Sequence, residues 1–242
     1  MQNTCYHQCG GEYHHREVDE VIYTWAGQEI AIASTKAYTA QVLVMYLLAM
    51  LFAKVRKTMA SEELKEVIAA LQQVPGWVEE ILEQKETIEE IAERYYKCED
   101  MFYLGRGLDW PVALEGALKL KETSYIHAEA YAAGELKHGP LALITEEVPV
   151  LALATQEDLL EKTVSNINGV KARNGSVIGV TLGQSDLVEE ACDHVIRLPA
   201  APSIVSPLLS VVALQLFAYY MSCARGCDVD QPRNLTKSVT VE

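Results

Sequence analysis

Between residues 149 and 225, short runs rich in Val, Ile, Leu and Ala alternate with longer stretches of helical spacing, and that alternation leaves few folds open. The runs at 149–154, 176–181 and 194–198 are close to continuously apolar, whereas a strand with one wet face would alternate apolar and polar residues. The intervening stretches, 157–174 and 187–192, read as helices, and a long apolar helix over 206–225 closes the series. Strands buried on both faces and joined by helices pair in parallel between two helical layers. The predicted fold class is therefore α/β, a doubly wound parallel sheet.

Upstream the pattern is less regular. Residues 1 to about 15 show neither helical nor strand periodicity, so no structure is assigned to them. A short strand is expected at 19–23, a turn at Ala26 and Gly27, and an N-cap at Ser34 or Thr35 for an apolar helix ending near 54–57. A second helix starts at Ser61 and should be interrupted by Pro75 and Gly76, and a third runs from 77 to 98. One echo stands out: Asp19, Val21 and Ile22 precede Ser34 and an apolar helix, as Asp193, Val195 and Ile196 precede Ser206 and another. This suggests a duplicated unit. At the same offset the counterpart of the strand and turn at 102–107 falls before Met1, so one complete and one partial copy are expected. The expected division is an irregular start and first-unit remnant over 1–58, a second unit over 59–226, and a tail over 227–242.

A net charge of −14 without a dense Lys/Arg cluster argues against nucleic acid as a partner. Six irregularly spaced cysteines suggest reduced thiols in a cytoplasmic protein. Cys5 and Cys9 with His14 and His15, or Cys223 with Cys227, match no known metal-ligand spacing and read as incidental. The apolar runs 38–53 and 208–224 are shorter than the roughly 20 residues of a membrane span and contain Gln41 and Gln215, so both are expected to be buried core helices.

The densest chemistry lies between residues 103 and 140. Gly105, Arg106 and Gly107 form either an anion-facing turn ahead of a helix or a tight structural turn. Glu115, Lys119 and Glu122 share one narrow wedge of that helix. On spacing alone they read as a solvated salt-bridge ladder; the alternative is a carboxylate base beside a cation that stabilises developing negative charge. His127, Glu129, Glu135, Lys137 and His138 surround the small residues 132–134, where a loop or helix start carrying an acid/base site is expected.

The runs LEGALKLKE at 114–122 and SYIHAEAYAAGELKHGP at 124–140 closely resemble the isomerase region of the glutamine:fructose-6-phosphate aminotransferases. The resemblance continues at YTWAG (23–27), ASTKAY (33–38) and DQPRNLTKSVTVE (230–242), and it covers nearly everything from about residue 16. It implies sugar isomerase (SIS) domains of flavodoxin-like order and the conversion of fructose 6-phosphate to glucosamine 6-phosphate, with no cofactor and no metal. By this resemblance Glu122 is the base that moves a proton between sugar carbons, and Lys119 is its electrostatic neighbour. His138 assists ring opening from the adjacent subunit of a homodimer, and Lys237 forms a Schiff base with the open-chain ketose. Ile32, Ala33 and Ser34 fall where the family's first SIS domain touches the sugar. The family's glutaminase domain and Ser/Thr/Gln-rich phosphate loops have no counterpart here, so the chain is expected to be truncated and, by itself, inactive as a glutamine-dependent synthase and poor at holding a sugar phosphate. The rival reading is a non-catalytic SIS-type module that binds or senses sugar phosphates. Glu122 with Lys237 argues against it, because a sensor needs neither a base nor an imine-forming lysine.

Overall fold

The computed structural model describes residues 4–7 and 19–237. Two short parallel strands, β1 (Thr4–His7) and β2 (Glu20–Tyr23), precede helices α1 (Lys36–Arg56), α2 (Ser61–Glu83) and α3 (Lys85–Tyr95). The second part runs β3 (Asp100–Gly105), α4 (Asp109–Ser124), β4 (His127–Ala132), β5 (Val150–Ala154) and α5 (Leu160–Lys171). It ends with β6 (Val177–Leu182), α6 (Asp186–Ala191), β7 (His194–Leu198) and α7 (Ser206–Ala224).

The sheet is the parallel one that the alternation predicts, five strands in the order β4-β3-β5-β6-β7. Successive side chains point to opposite faces of a strand, and the core divides accordingly. Tyr103, Leu151, Leu153, Ile178 and Val180 face the layer built from α2, α3, α4 and α7. Phe102, Leu104, Val150, Ala152 and Val177 face Ile167 and Val170 of α5. Because both faces are covered, β5 is buried at every residue, which is why its sequence carries no polar position. The chain reverses direction across the sheet between β3 and β5, the point at which doubly wound sheets open a crevice at their carboxyl edge.

Several expectations change. Pro75 does not end a helix: α2 continues through it to Glu83. A proline removes one backbone bond, and Ala70 and Ile81, on either side of it, are both buried and hold the two halves in place. The helix start expected at 132–134 is present as the 3-10 turn Ala133–His138, but the edge strand at 127–132 that leads into it is not among the expected strands, being half-exposed and therefore short of the apolar signature of its neighbours. Thr4–His7, left unassigned by periodicity, pairs with β2; a four-residue strand defined by a distant partner leaves no local pattern. Helix α7 is buried as expected, but α1 is not a core helix. It lies against α2 and α7 along one side. Leu43, Leu47, Leu51 and Val55, one stripe at four-residue spacing, are all more than a third exposed.

Candidate active site

Because β3 and β4 are parallel, the helix that joins them, α4, must run back from the carboxyl edge of the sheet to the amino edge. Glu115, Lys119 and Glu122 therefore lie progressively nearer the amino edge. The wedge read from spacing is present but not solvated. The Lys119 ammonium lies 2.5 Å from Glu122 Oε2 and 3.5 Å from Glu115 Oε1, with the lysine side chain 5% exposed and the two carboxylates 11% and 23% exposed. This overturns the surface-ladder reading. Helix α7 packs along α4 closely enough that a Cβ on Gly116 would collide with Leu214. An ammonium buried this far is tolerated only when paired, here by two carboxylates. Burial pushes the Glu115 carboxyl above its ordinary range, opposed by the Lys119 charge and reinforced by Glu122. Burial and the Glu115 charge likewise raise the Tyr38 phenol to about 12, so α1 contributes a neutral hydroxyl beside the wedge.

A cavity of about 200 Å3 adjoins this wedge. Lys119 and Thr123 of α4, Gln215 and Tyr219 of α7, Ala31 and Ala33, and Asp230 of the tail all line it. The expected sugar-contacting stretch is thus brought to Lys119: Ala33 is buried at the cavity, while Ile32 and Ser34 flank it in the chain. The tail meets the same stretch. The Ile32 N–H donates to the Asp230 carbonyl at 3.0 Å, and Lys237 Nζ donates to the carbonyls of Ala31 at 2.7 Å and Ile32 at 3.4 Å. Sequence reasoning missed Glu29, whose Oε1 accepts the Thr35 N–H at 2.6 Å and the Thr35 hydroxyl at 2.9 Å. Although burial opposes it, these two bonds and the Lys237 charge hold the Glu29 carboxyl below its ordinary range. The expected N-cap for α1 is therefore Thr35 by position, with Glu29 supplying the acceptor.

His138 is elsewhere. It is exposed in the 3-10 turn Ala133–His138, directly after the carboxyl end of β4, and does not line the cavity. One strand of six residues, roughly 20 Å at 3.3 Å per residue, separates that edge from the end that carries Glu122. His127 and Glu129 belong to a surface cluster instead: His127 Nδ1 lies 2.7 Å from Asp100 Oδ1, and Lys121 lies 3.3 Å from Glu129. Such exposed pairs contribute little. Glu135 and Lys137 share the exposed turn with His138.

The turn at 105–107 is structural, not anion-facing. A Cβ on Gly105 would collide with the backbone of Asp109 and Trp110, and Gly107 takes φ +56. Arg106 is committed to Asn166 Oδ1, to which its Nε and Nη2 donate at 3.1 and 2.9 Å. The carboxyl-edge crevice beside it already holds a carboxylate. Asp109, 2% exposed, accepts the Thr155 N–H at 2.9 Å and the Thr155 hydroxyl. Among the described residues no group of three or more His, Cys, Asp and Glu is placed to hold a metal ion; Cys9, His14 and His15 lie outside them.

The sequence model of the SIS domain matches residues 94–225. The glutamine–fructose-6-phosphate aminotransferase (isomerizing) of Caldanaerobacter subterraneus is 55% identical over 227 residues, 94% of this chain and 37% of that protein. Its counterpart from Thermus thermophilus is 50% identical, over 94% of this chain and 38% of that protein. The solved C-terminal domain of glucosamine-fructose-6-phosphate aminotransferase from Francisella tularensis superposes with a TM-score of 0.89 at 37% identity, covering 95% of this chain and 65% of that one. The chain thus spans little more than a third of the length of these curated relatives.

Proposed function

Since the chain belongs to the SIS-domain family, and its relatives are named as isomerizing aminotransferases, we propose that it serves the sugar half of that reaction, taking fructose 6-phosphate to glucosamine 6-phosphate. The observation that carries this reading is the buried Glu115–Lys119–Glu122 wedge beside a cavity on whose rim Lys237 rests. Ketose–aldose isomerisation moves one proton from C1 to C2. Glu122 is the base that takes the C1 proton and returns it at C2, and the Lys119 ammonium 2.5 Å away stabilises the charge that develops between these steps. Lys237, beside Ala31 and Ile32, is the amine that attacks the C2 carbonyl, losing water to form an imine; ammonia from glutamine then displaces the lysine, freeing its amine and leaving the C2 imine that Glu122 isomerises. The proposed division is residues 1–58, 59–226 and 227–242, the last carrying Lys237.

The test is direct. With fructose 6-phosphate in large excess, borohydride should leave one hexitol phosphate adduct, and peptide mass mapping should find it on Lys237. An unmodified Lys237, or an adduct spread over surface lysines, would overturn the reading.

The site is proposed to be completed by a second copy of the chain. His138 and Glu122 stand at opposite edges of one sheet, so a histidine that serves Glu122's sugar must come from a partner copy arranged as a homodimer. Mixing His138→Ala with Glu122→Gln protein should then restore about a quarter of parental isomerisation, as one intact site per mixed dimer requires. No recovery on mixing would show that the two residues do not meet across an interface.

A further inference from the structure

The segment that carries Lys237 leaves α7 at Ala224 and has no regular secondary structure among its described residues. An irregular chain end frays unless it is tied down, so a lysine there is useful only as far as the ties hold. Close to the helix the ties are dense: Arg225 donates to the carbonyls of Tyr96 and Cys98 at 2.7 and 3.1 Å, and Asp228 accepts the N–H groups of Asp230 and Gln231 at 3.0 Å. Nearer Lys237 a different contact takes over. The Arg233 N–H donates to the Tyr125 hydroxyl oxygen at 2.7 Å, and its guanidinium lies over the same ring, 4.1 Å from the centroid.

Tyr125 is an unexpected residue for its place. It closes the C-terminus of α4 with φ +64, a left-handed conformation that glycine adopts freely and an aromatic residue adopts under strain. A helix that needed only to end would be better served by glycine. What the tyrosine adds is a ring and a hydroxyl, and both are spent on Arg233. It also stands three positions after Glu122, so the contact joins the end of the helix that bears the base to the segment that bears the amine.

We propose that Tyr125 and Arg233 form a clasp whose role is positional: it holds the tail so that Lys237 meets the sugar beside the Lys119–Glu122 pair. Neither is a catalytic residue, and the claim about Lys237 rests on the functional reading above. The planar guanidinium matters as well as its charge, since stacking on a ring and a fixed approach are properties that lysine lacks.

Tyr125→Gly separates positioning from structure, because it relieves the left-handed strain while removing the ring. The expected result is a thermal midpoint equal to or above the parent's, together with a Lys237 adduct formed about tenfold more slowly, the loss expected for an open cation–π contact and its hydrogen bond. Tyr125→Phe keeps the ring and should recover most of that rate, whereas Arg233→Lys should not. Without sugar, the Ile32 amide, bonded to Asp230 in the tail and touched by neither clasp residue, should exchange its hydrogen faster in Tyr125→Gly. Unchanged exchange at Ile32, or an adduct rate that falls only as the thermal midpoint falls, would overturn the clasp. If the parent itself forms no adduct, the functional reading fails, and exchange at Ile32 still decides whether the clasp holds the tail.

Discussion

Glu122→Gln is expected to slow transfer of the C1 proton of fructose 6-phosphate by two to four orders of magnitude, the usual contribution of a positioned general base. The amide keeps the shape of the side chain and still accepts a hydrogen bond from Lys119, so the loss falls on proton abstraction rather than on packing. The measurement is deuterium incorporation at C1 in D2O, followed by proton NMR. Two neighbours could stand in for the base, and the structure argues against each. Glu115 is more deeply buried than Glu122, and it lies 3.5 Å from the ammonium that Glu122 approaches to 2.5 Å. Glu129 is turned to the surface cluster of Lys121 and His127. Lys119 loses one of its two carboxylates in this variant, so a thermal melt should accompany the kinetics. A loss of exchange below tenfold in a protein that still melts cooperatively would remove Glu122 from the role of base.

The parts of this fold that can be read in the sequence are those where burial is symmetrical. β5 and β6 lie between two helical layers, every position but Thr181 of β6 is apolar or glycine, and their runs announce a parallel sheet without help from partners. α7 could be read in the same way, being buried nearly all round. What could not be read depends on contacts distant in sequence. The spacing of Glu115, Lys119 and Glu122 is that of any solvated helix face, and only the packing of α7 about a hundred residues later makes it a buried site; Ser222 on Thr123, 99 residues apart, is one such contact. The apolar run of α1 resembles that of α7, yet one is exposed and the other buried, because sequence records what a helix is able to pack against and not what does. The resemblance to the aminotransferases supplied the identities of Lys237 and His138, and geometry then distinguished them: Lys237 reaches the cavity segment of its own chain, while His138 is carried to the far edge of the sheet. Glu29 and Tyr125 carried no local signal, since an exposed-looking carboxylate and a tyrosine after a helix are unremarkable until their partners are known.

Asp109→Ala should have the largest effect on stability, lowering the free energy of unfolding by about 1–3 kcal/mol, the cost of one orphaned buried donor. The residue begins α4, Thr155 directly follows β5 46 residues away, and the Thr155 and Ser206 hydroxyls lie 2.8 Å apart, with Gln156 Nε2 donating to Ser206 at 2.9 Å. One carboxylate thus joins three elements at the reversal point of the sheet. Removing it leaves the Thr155 N–H buried without an acceptor, while the Thr155 hydroxyl retains Ser206 Oγ at 2.8 Å, and urea unfolding with an unchanged slope would report the loss. The same burial raises the Asp109 carboxyl above its ordinary value of 3.8, despite the hydrogen bonds from Thr155 and Gln156 that favour the anion. The native protein therefore keeps this proton to higher pH than the unfolded chain, and the group's stabilising contribution, complete below 3.8, is lost as pH rises through the raised value. Asp109→Asn cannot titrate, so as pH rises above 3.8 its stability should fall less steeply than the parent's, with Glu115 adding a slope of the same sign and His194, held below its ordinary value of 6.5 by burial, one of the opposite sign. A cost below about 1 kcal/mol for the alanine variant would mean that the crevice is not held by this carboxylate.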